Sequence, residues 1–194
     1  MRKPRLFALC LVLAIACIVA NAYAEQKIDT PTRVYMKKTE PHSVAIMAHK
    51  GPFTDMSAVT TKLVGELDKG GYSQAGPIMA MFLNSPENTP QKDLKWQVMI
   101  PVAYPGPMGM PDNDKLGFTY SDSYYVAYIY HIGPYEKVND SYQILFDWAK
   151  RANYKILGNP VEIYWSDPSK TPKEKTVTEI WIPIEEKKTP GLMK

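Results

Sequence analysis

Apolar residues fall along the chain in short runs of two kinds. Val44 to Ala48, Ile78 to Leu83 and Trp96 to Val102 are compact runs bounded by Gly, Pro, Asn or charged residues, as strands are. Between the first two, Met56, Val59, Leu63 and Leu67 recur at helical spacing until Gly70-Gly71, which predicts an amphipathic helix and its stop. The pattern then repeats. Val126 to Tyr130, Val161 to Trp165 and Val177 to Ile184 read as strands, and Val138, Tyr142, Leu145, Phe146 and Ala149 form the stripe of a second helix. Polar, proline-bearing connections at Asn84 to Lys95 and Asp167 to Lys175 complete each set.

The repetition extends to residue identity. His49-Lys50-Gly51-Pro52-Phe53 and His131-Ile132-Gly133-Pro134-Tyr135 lie 82 positions apart, and the same offset aligns Val44 with Val126, Leu63 with Leu145, Tyr72 with Tyr154, Gly76 with Gly158 and Pro101 with Pro183. The chain is therefore an internal tandem duplication of a strand-helix-strand-strand unit. The expected fold is α+β, an antiparallel sheet with one helix per repeat, a shared core and a cleft where the repeats meet. Repeat one spans 44–102, a connector 103–125 and repeat two 126–184. Residues 25–43 form a lead-in with at most a short strand around Arg33 to Lys37, and 185–194 a charged tail.

The first 24 residues have a different character. Arg2, Lys3 and Arg5 precede the uncharged run Leu6 to Ala24, which ends in Ala22-Tyr23-Ala24, a small-x-small site for signal peptidase. This predicts a secreted or periplasmic protein. An uncleaved membrane anchor through residues 6–24 and lipid attachment at Cys17 are the alternatives. With that segment removed, the 23 basic residues fall by three and match the 20 acidic ones, so charge does not argue for a nucleic-acid partner. Cys10 and Cys17 both leave with it, so the expected mature chain contains no disulfide or thiol chemistry.

In a duplication, shared residues mostly specify fold, so chemistry is sought where the copies differ. Glu162 stands where repeat one has Ala80, and Glu179 where it has Gln97. Strand alternation, with the aliphatic Val161, Ile163, Ile180, Ile182 and Ile184 turned to the helix, puts Glu162, Tyr164, Glu179 and Trp181 together on the opposite face. Carboxylates among aromatic rings suit a cationic or polarised apolar ligand. The competing structural reading is a solvated glutamate on an outer sheet face beside edge-shielding aromatics.

The motifs HIGPYEKV, YQILFDWA, GNPVEIYWSDPSKTP and TEIWIPI in the second copy resemble the gyrase-inhibitor-like (GyrI-like) small-molecule-binding domain, also called the bacterial transcription-activator effector-binding domain, with the likeness running over residues 34 to 184. The resemblance implies two strand-helix-strand-strand repeats enclosing a cleft for amphipathic, often cationic compounds, with Glu162 as a main ligand contact. Tyr164, Glu179, Trp181 and Tyr128 are further expected ligand-binding residues. Many relatives join this domain to a DNA-binding helix-turn-helix, whereas residues 25–43 are too short for one, so no nucleic-acid partner is expected. Some relatives hydrolyse cyclopropane-bearing compounds with a pocket glutamate, which makes a hydrolase with Glu162 as general base the main alternative to a binder. The superfamily also includes haem-binding relatives, but no cofactor is expected here. His49 and His131 end matching strands before Gly-Pro and read as scaffold rather than metal or haem ligands. Met79-Ala80-Met81 and Met108-Gly109-Met110 read as core filling and connector rather than a copper site.

Overall fold

The structure, a computed structural model, describes residues 33–110 and 112–187. The expected signal segment 1–24 and the end of the tail beyond residue 187 lie outside the described residues. Within them the order is β1 (Tyr35–Lys38), β2 (His42–Lys50), α1 (Met56–Gly70), β3 (Ile78–Phe82), β4 (Lys95–Pro101), β5 (Gly117–Ser121), β6 (Tyr125–Ile132), α2 (Val138–Arg151), β7 (Val161–Tyr164) and β8 (Val177–Pro183). Single 3-10 turns at Phe53–Asp55 and Tyr135–Lys137 lead into the two helices. No described helix is long and apolar enough to cross a membrane.

Both helices stop for the same backbone reason. Gly71 sits in the left-handed region at φ 71°, and its N–H bonds back to the last turn of α1, which satisfies otherwise orphaned carbonyls. At the matching place after α2, Asn153 takes φ 55°. Asparagine tolerates this region better than other residues with a Cβ. The next residues then repeat one bond, Tyr72 N–H to the Leu67 carbonyl and Tyr154 N–H to the Ala149 carbonyl, both at 2.9 Å.

All eight strands join one antiparallel sheet in the order β1-β6-β8-β7-β3-β4-β2-β5. The repeats meet at its centre, where β3 pairs with β7. The order also shows an exchange. β5, which precedes repeat two in the chain, pairs with β2 of repeat one, while β1, which precedes repeat one, pairs with β6 of repeat two. The duplication offset relates the two pairings, because Lys37 lies opposite Val126 and Thr119 opposite Val44. The structural repeat thus includes a leading edge strand, and β5 lies within the stretch read from sequence as connector. Each half is closed by the strand that introduces the other.

The interior is divided rather than shared. On one sheet face, Val59, Leu63 and Leu67 of α1 pack on Ala45, Met47, Trp96, Val98 and Ile100. Beside them Leu145 and Ala149 of α2 pack on Ala127, Ile129, Ile180 and Ile182. A third cluster, Val44, Ile46, Met79, Met99, Val161 and Ile163, is buried on the far face and crosses the seam between repeats. The central strands therefore have buried side chains on both faces.

Because Gly71 needs the left-handed region, Gly71→Ala is expected to lower unfolding free energy by about 1 kcal/mol. Asn153→Gly should change it by only a few tenths of that. Chemical denaturation of the two variants checks both; equal effects would contradict the conformational account.

Candidate functional site

The duplication dictates where the helices sit. Each packs over its own half of the sheet, so the strip of sheet at the seam lies between them, and a cavity of about 1460 Å³ opens there. Its floor includes Ile78, Glu162 and Tyr164, its walls Met56 and Thr60 of α1 and Tyr142 and Phe146 of α2. Each end holds an edge-on aromatic pair, Phe53 with Phe82 at 5.0 Å between centroids and Tyr135 with Tyr164 at 5.7 Å. The offset of the duplication relates these two pairs. The repeat-one end is hydrocarbon, and the repeat-two end carries phenols.

The same difference recurs in the floor. In the β3–β7 ladder Met79 faces Ile163, Ala80 faces Glu162 and Met81 faces Val161. Ala80 and Glu162 are also equivalent in the duplication, so the pseudo-twofold axis passes through this one pair. On α2, Tyr142 replaces Thr60 of α1. Repeat two has thus added a buried carboxylate and three phenols where repeat one has Ala80, Phe53, Thr60 and Phe82.

Glu162 is buried, with 6% of its surface exposed. The Tyr142 hydroxyl donates to its Oε1 at 2.9 Å and the Tyr164 hydroxyl to its Oε2 at 2.8 Å. Burial pushes the Glu162 carboxyl above the usual carboxylate range, and the two hydroxyl bonds only partly oppose that shift. In return, burial and the nearby carboxylate push the Tyr142 and Tyr164 hydroxyls well up, so both stay protonated donors. Tyr135 is raised by burial first and then by Glu162.

The structure separates the residues that strand alternation had grouped. Glu162 faces Ile180 in the β7–β8 ladder and shares its face, the helix side. Val161 and Ile163 point the other way, into the far-face cluster with Trp181. Glu162 and Tyr164 therefore line the cleft, while Glu179, Trp181 and Tyr128 lie on the opposite face, where Tyr128 is the cross-strand partner of Trp181. The expectation that aliphatic residues of β7 turn toward the helix is corrected, because at the sheet's centre both faces are buried and the aliphatic side does not mark the helix side. Tyr135 and Tyr142 were not among the expected site residues, although their departures from Phe53 and Thr60 mark them in the duplication. His49 bridges Asp114 at 2.7 Å and Asp55 at 3.2 Å, and His131 bridges Ser141 and the Pro134 carbonyl, both at 3.0 Å. Among the described residues, no group of three or more His, Cys, Asp and Glu is placed to hold a metal.

Residues 110–185 match the family of the GyrI-like small molecule binding domain. No curated protein is similar enough in sequence to count as a relative. Among solved structures, the isolated C-terminal domain of EcmrR is similar with a TM-score of 0.69 at 18% identity, over 79% of this chain and 98% of that one. EcmrR in its complex with DNA gives 0.69 at 16% identity over 91% of this chain, which spans 65% of the EcmrR chain. A hydrolase from Listeria innocua gives 0.54 at 11% identity, over 88% of this chain and 98% of that one. The protein SAV2435 bound to tetraphenylphosphonium gives 0.50 at 13% identity, over 79% and 94%. At these identities the likeness establishes the fold.

Glutamine at position 162 would keep the packing and bond both phenols without a charge. Since folding raises the Glu162 pKa, the native state holds this proton more firmly than the unfolded chain does. The carboxyl's contribution to stability is therefore greatest below the ordinary carboxylate range and declines as pH rises toward the folded pKa. Glu162→Gln is expected to unfold at a higher temperature than the parent at pH 8, with the gain vanishing toward pH 4. Thermal melts across that range check it; a variant less stable at every pH would make Glu162 a structural residue.

Proposed function

We propose, for a chain whose residues 110–185 match the family of the GyrI-like small molecule binding domain, that the cleft between the helices binds an amphipathic molecule with a cationic end. The observation that carries this reading is the single buried carboxylate on the pseudo-twofold axis, bonded only to neutral phenols in its hydrogen bonds. A buried charge is stable when an opposite charge pairs with it, and here a ligand would supply that charge. The phenol rings add cation–π attraction of about 0.5–2 kcal/mol each. The repeat-one half, with Phe53, Met56, Ile78 and Phe82, offers apolar surface for the remainder of the ligand. The two halves thereby orient it.

A cation stabilises the ionised form of Glu162, so binding draws the proton off. Affinity for a permanently charged lipophilic cation such as tetraphenylphosphonium is expected to rise as pH increases above the ordinary carboxylate range and to level off above the raised Glu162 pKa. In Glu162→Gln that affinity should fall at least about tenfold and lose its pH dependence, while a neutral apolar dye binds as before. Calorimetric titration measures both. Equal affinity in parent and variant would refute the proposal.

A second reading rests on the same carboxyl. Burial makes Glu162 more basic than a surface glutamate, the property a general base needs to activate water. Turnover of a cyclopropane-bearing electrophile that disappears in Glu162→Gln would replace binding by hydrolysis.

The proposal includes export. Residues 1–24 have the charged start, apolar middle and small-residue end of a signal peptide. The mature protein is expected in the periplasmic or secreted fraction with Glu25 at its N-terminus. Fractionation with intact-mass measurement checks this, and a full-length chain in the membrane fraction would favour the anchor.

A further inference from the structure

The far face of repeat two holds a second buried carboxylate with a different set of partners. Glu179 is 1% exposed. Its Oε1 accepts from Lys37 Nζ at 2.5 Å and from Trp181 Nε1 at 2.7 Å, and its Oε2 from Trp165 Nε1 at 2.9 Å. The Lys37 ammonium also lies 4.5 Å from the Tyr128 ring centroid and 4.4 Å from that of Trp181. Tyr35 stacks on Tyr128 at 5.4 Å, and Tyr130 stands edge-on to Tyr128 at 5.7 Å, so the aromatic wall is itself braced. An ammonium between ring faces, on a carboxylate, is how proteins recognise organic ammonium ions.

The fold does not require this arrangement. In repeat one the equivalent positions are Thr119 for Lys37, Gln97 for Glu179, Met99 for Trp181, Ile46 for Tyr128 and Ala48 for Tyr130. That half of the sheet packs Val44, Ile46, Met79 and Met99 on its far face and has no charged residue at the equivalent positions. Repeat two has instead built a carboxylate and aromatic rings around one cation. The cation comes from outside the repeat, on a four-residue strand at the sheet's edge.

We propose that this cage is a site for a small organic ammonium, a primary or methylated amine, and that Lys37 holds the ligand's place while β1 is docked. Amine occupancy and docking of β1 are then mutually exclusive. A tethered ammonium has a high effective concentration at the cage, so a free amine binds weakly until β1 is displaced. The site is separate from the cleft because Glu162 and Glu179 point to opposite faces, although Trp165 borders the cleft as well as bonding Glu179.

The test uses the full chain with Lys37→Ala. Leaving Glu179 without its cation is expected to lower the melting temperature by about 10 °C. Ethylammonium chloride should restore part of that loss, whereas sodium chloride at equal ionic strength should not, and neither should act on Lys37→Ala/Glu179→Gln. Failure of ethylammonium to raise the melting temperature of a folded Lys37→Ala chain would overturn the proposal and leave a structural ion pair. A second measurement needs no variant. Hydrogen exchange of the β1 amides in the unaltered chain is expected to quicken with ethylammonium and not with sodium, and unchanged exchange at saturating amine would also overturn it. Glu162→Gln should respond as the parent does, which distinguishes this site from the cleft.

Discussion

The pairing of β3 with β7 is the constraint on which the rest depends. A duplicated chain folded about a twofold axis has one ladder where a residue can meet its own copy, and here that pair is Ala80 and Glu162. Two glutamates would stand about 5 Å apart at their Cβ atoms, like charges directly opposite each other and out of water. Two alanines would leave the floor without chemistry. One of each supplies a single carboxylate at the centre of the cleft, within reach of groups from either half. The remaining polar additions follow from that choice, since Tyr142 and Tyr164 belong to the same repeat and each covers one oxygen of Glu162.

A continuous sheet buried on both central faces also gives the protein two separated interiors for charge. Adjacent strands β7 and β8 direct Glu162 to the helix side and Glu179 to the other, so neither is forced to share the other's donors. Their compensation differs in kind. Glu179 has a lysine and two indoles; Glu162 has two phenols, which bond a carboxylate without balancing its charge. The exchanged edge strands make this possible, because β1 carries Lys37 to repeat two only by leaving the repeat it precedes.

Most of the scaffold was legible because local signals agreed with one another. Helical spacing through Met56, Val59, Leu63 and Leu67 ended at a glycine pair, and the 82-residue offset supplied the second unit, with Glu162 as the place to look. Strand pairing is nonlocal, and that is where sequence fell short. Residues 117–121, read as connector, become a strand by being claimed by the opposite half, and the short strand expected around Arg33 to Lys37 pairs with repeat two rather than with the repeat it precedes, a partnership that no local pattern encodes. The faces of β7 were inverted for a related reason. Val161 and Ile163 are as apolar as core residues against a helix, yet their burial comes from Met79 and Met99 across the seam and from Trp181 on the far face of their own repeat. Tyr142 read as one residue of a helix stripe, and only the position of α2 above β7 turns its hydroxyl toward Glu162.

The incomplete compensation of Glu162 determines what the cleft can discriminate. With its pKa raised by burial, the carboxyl can stand protonated among its phenols or ionised against an incoming cation, and the phenols serve either form because a hydroxyl both donates and accepts. A neutral apolar molecule then competes best at low pH and a cation best at high pH, in one cavity with one set of walls. Replacing either phenol with phenylalanine would leave a carboxylate oxygen bare and bias the group toward its protonated form. Tyr142 and Tyr164 thus do more than line the cleft, since their hydroxyls help to hold Glu162 within reach of ionisation despite its burial.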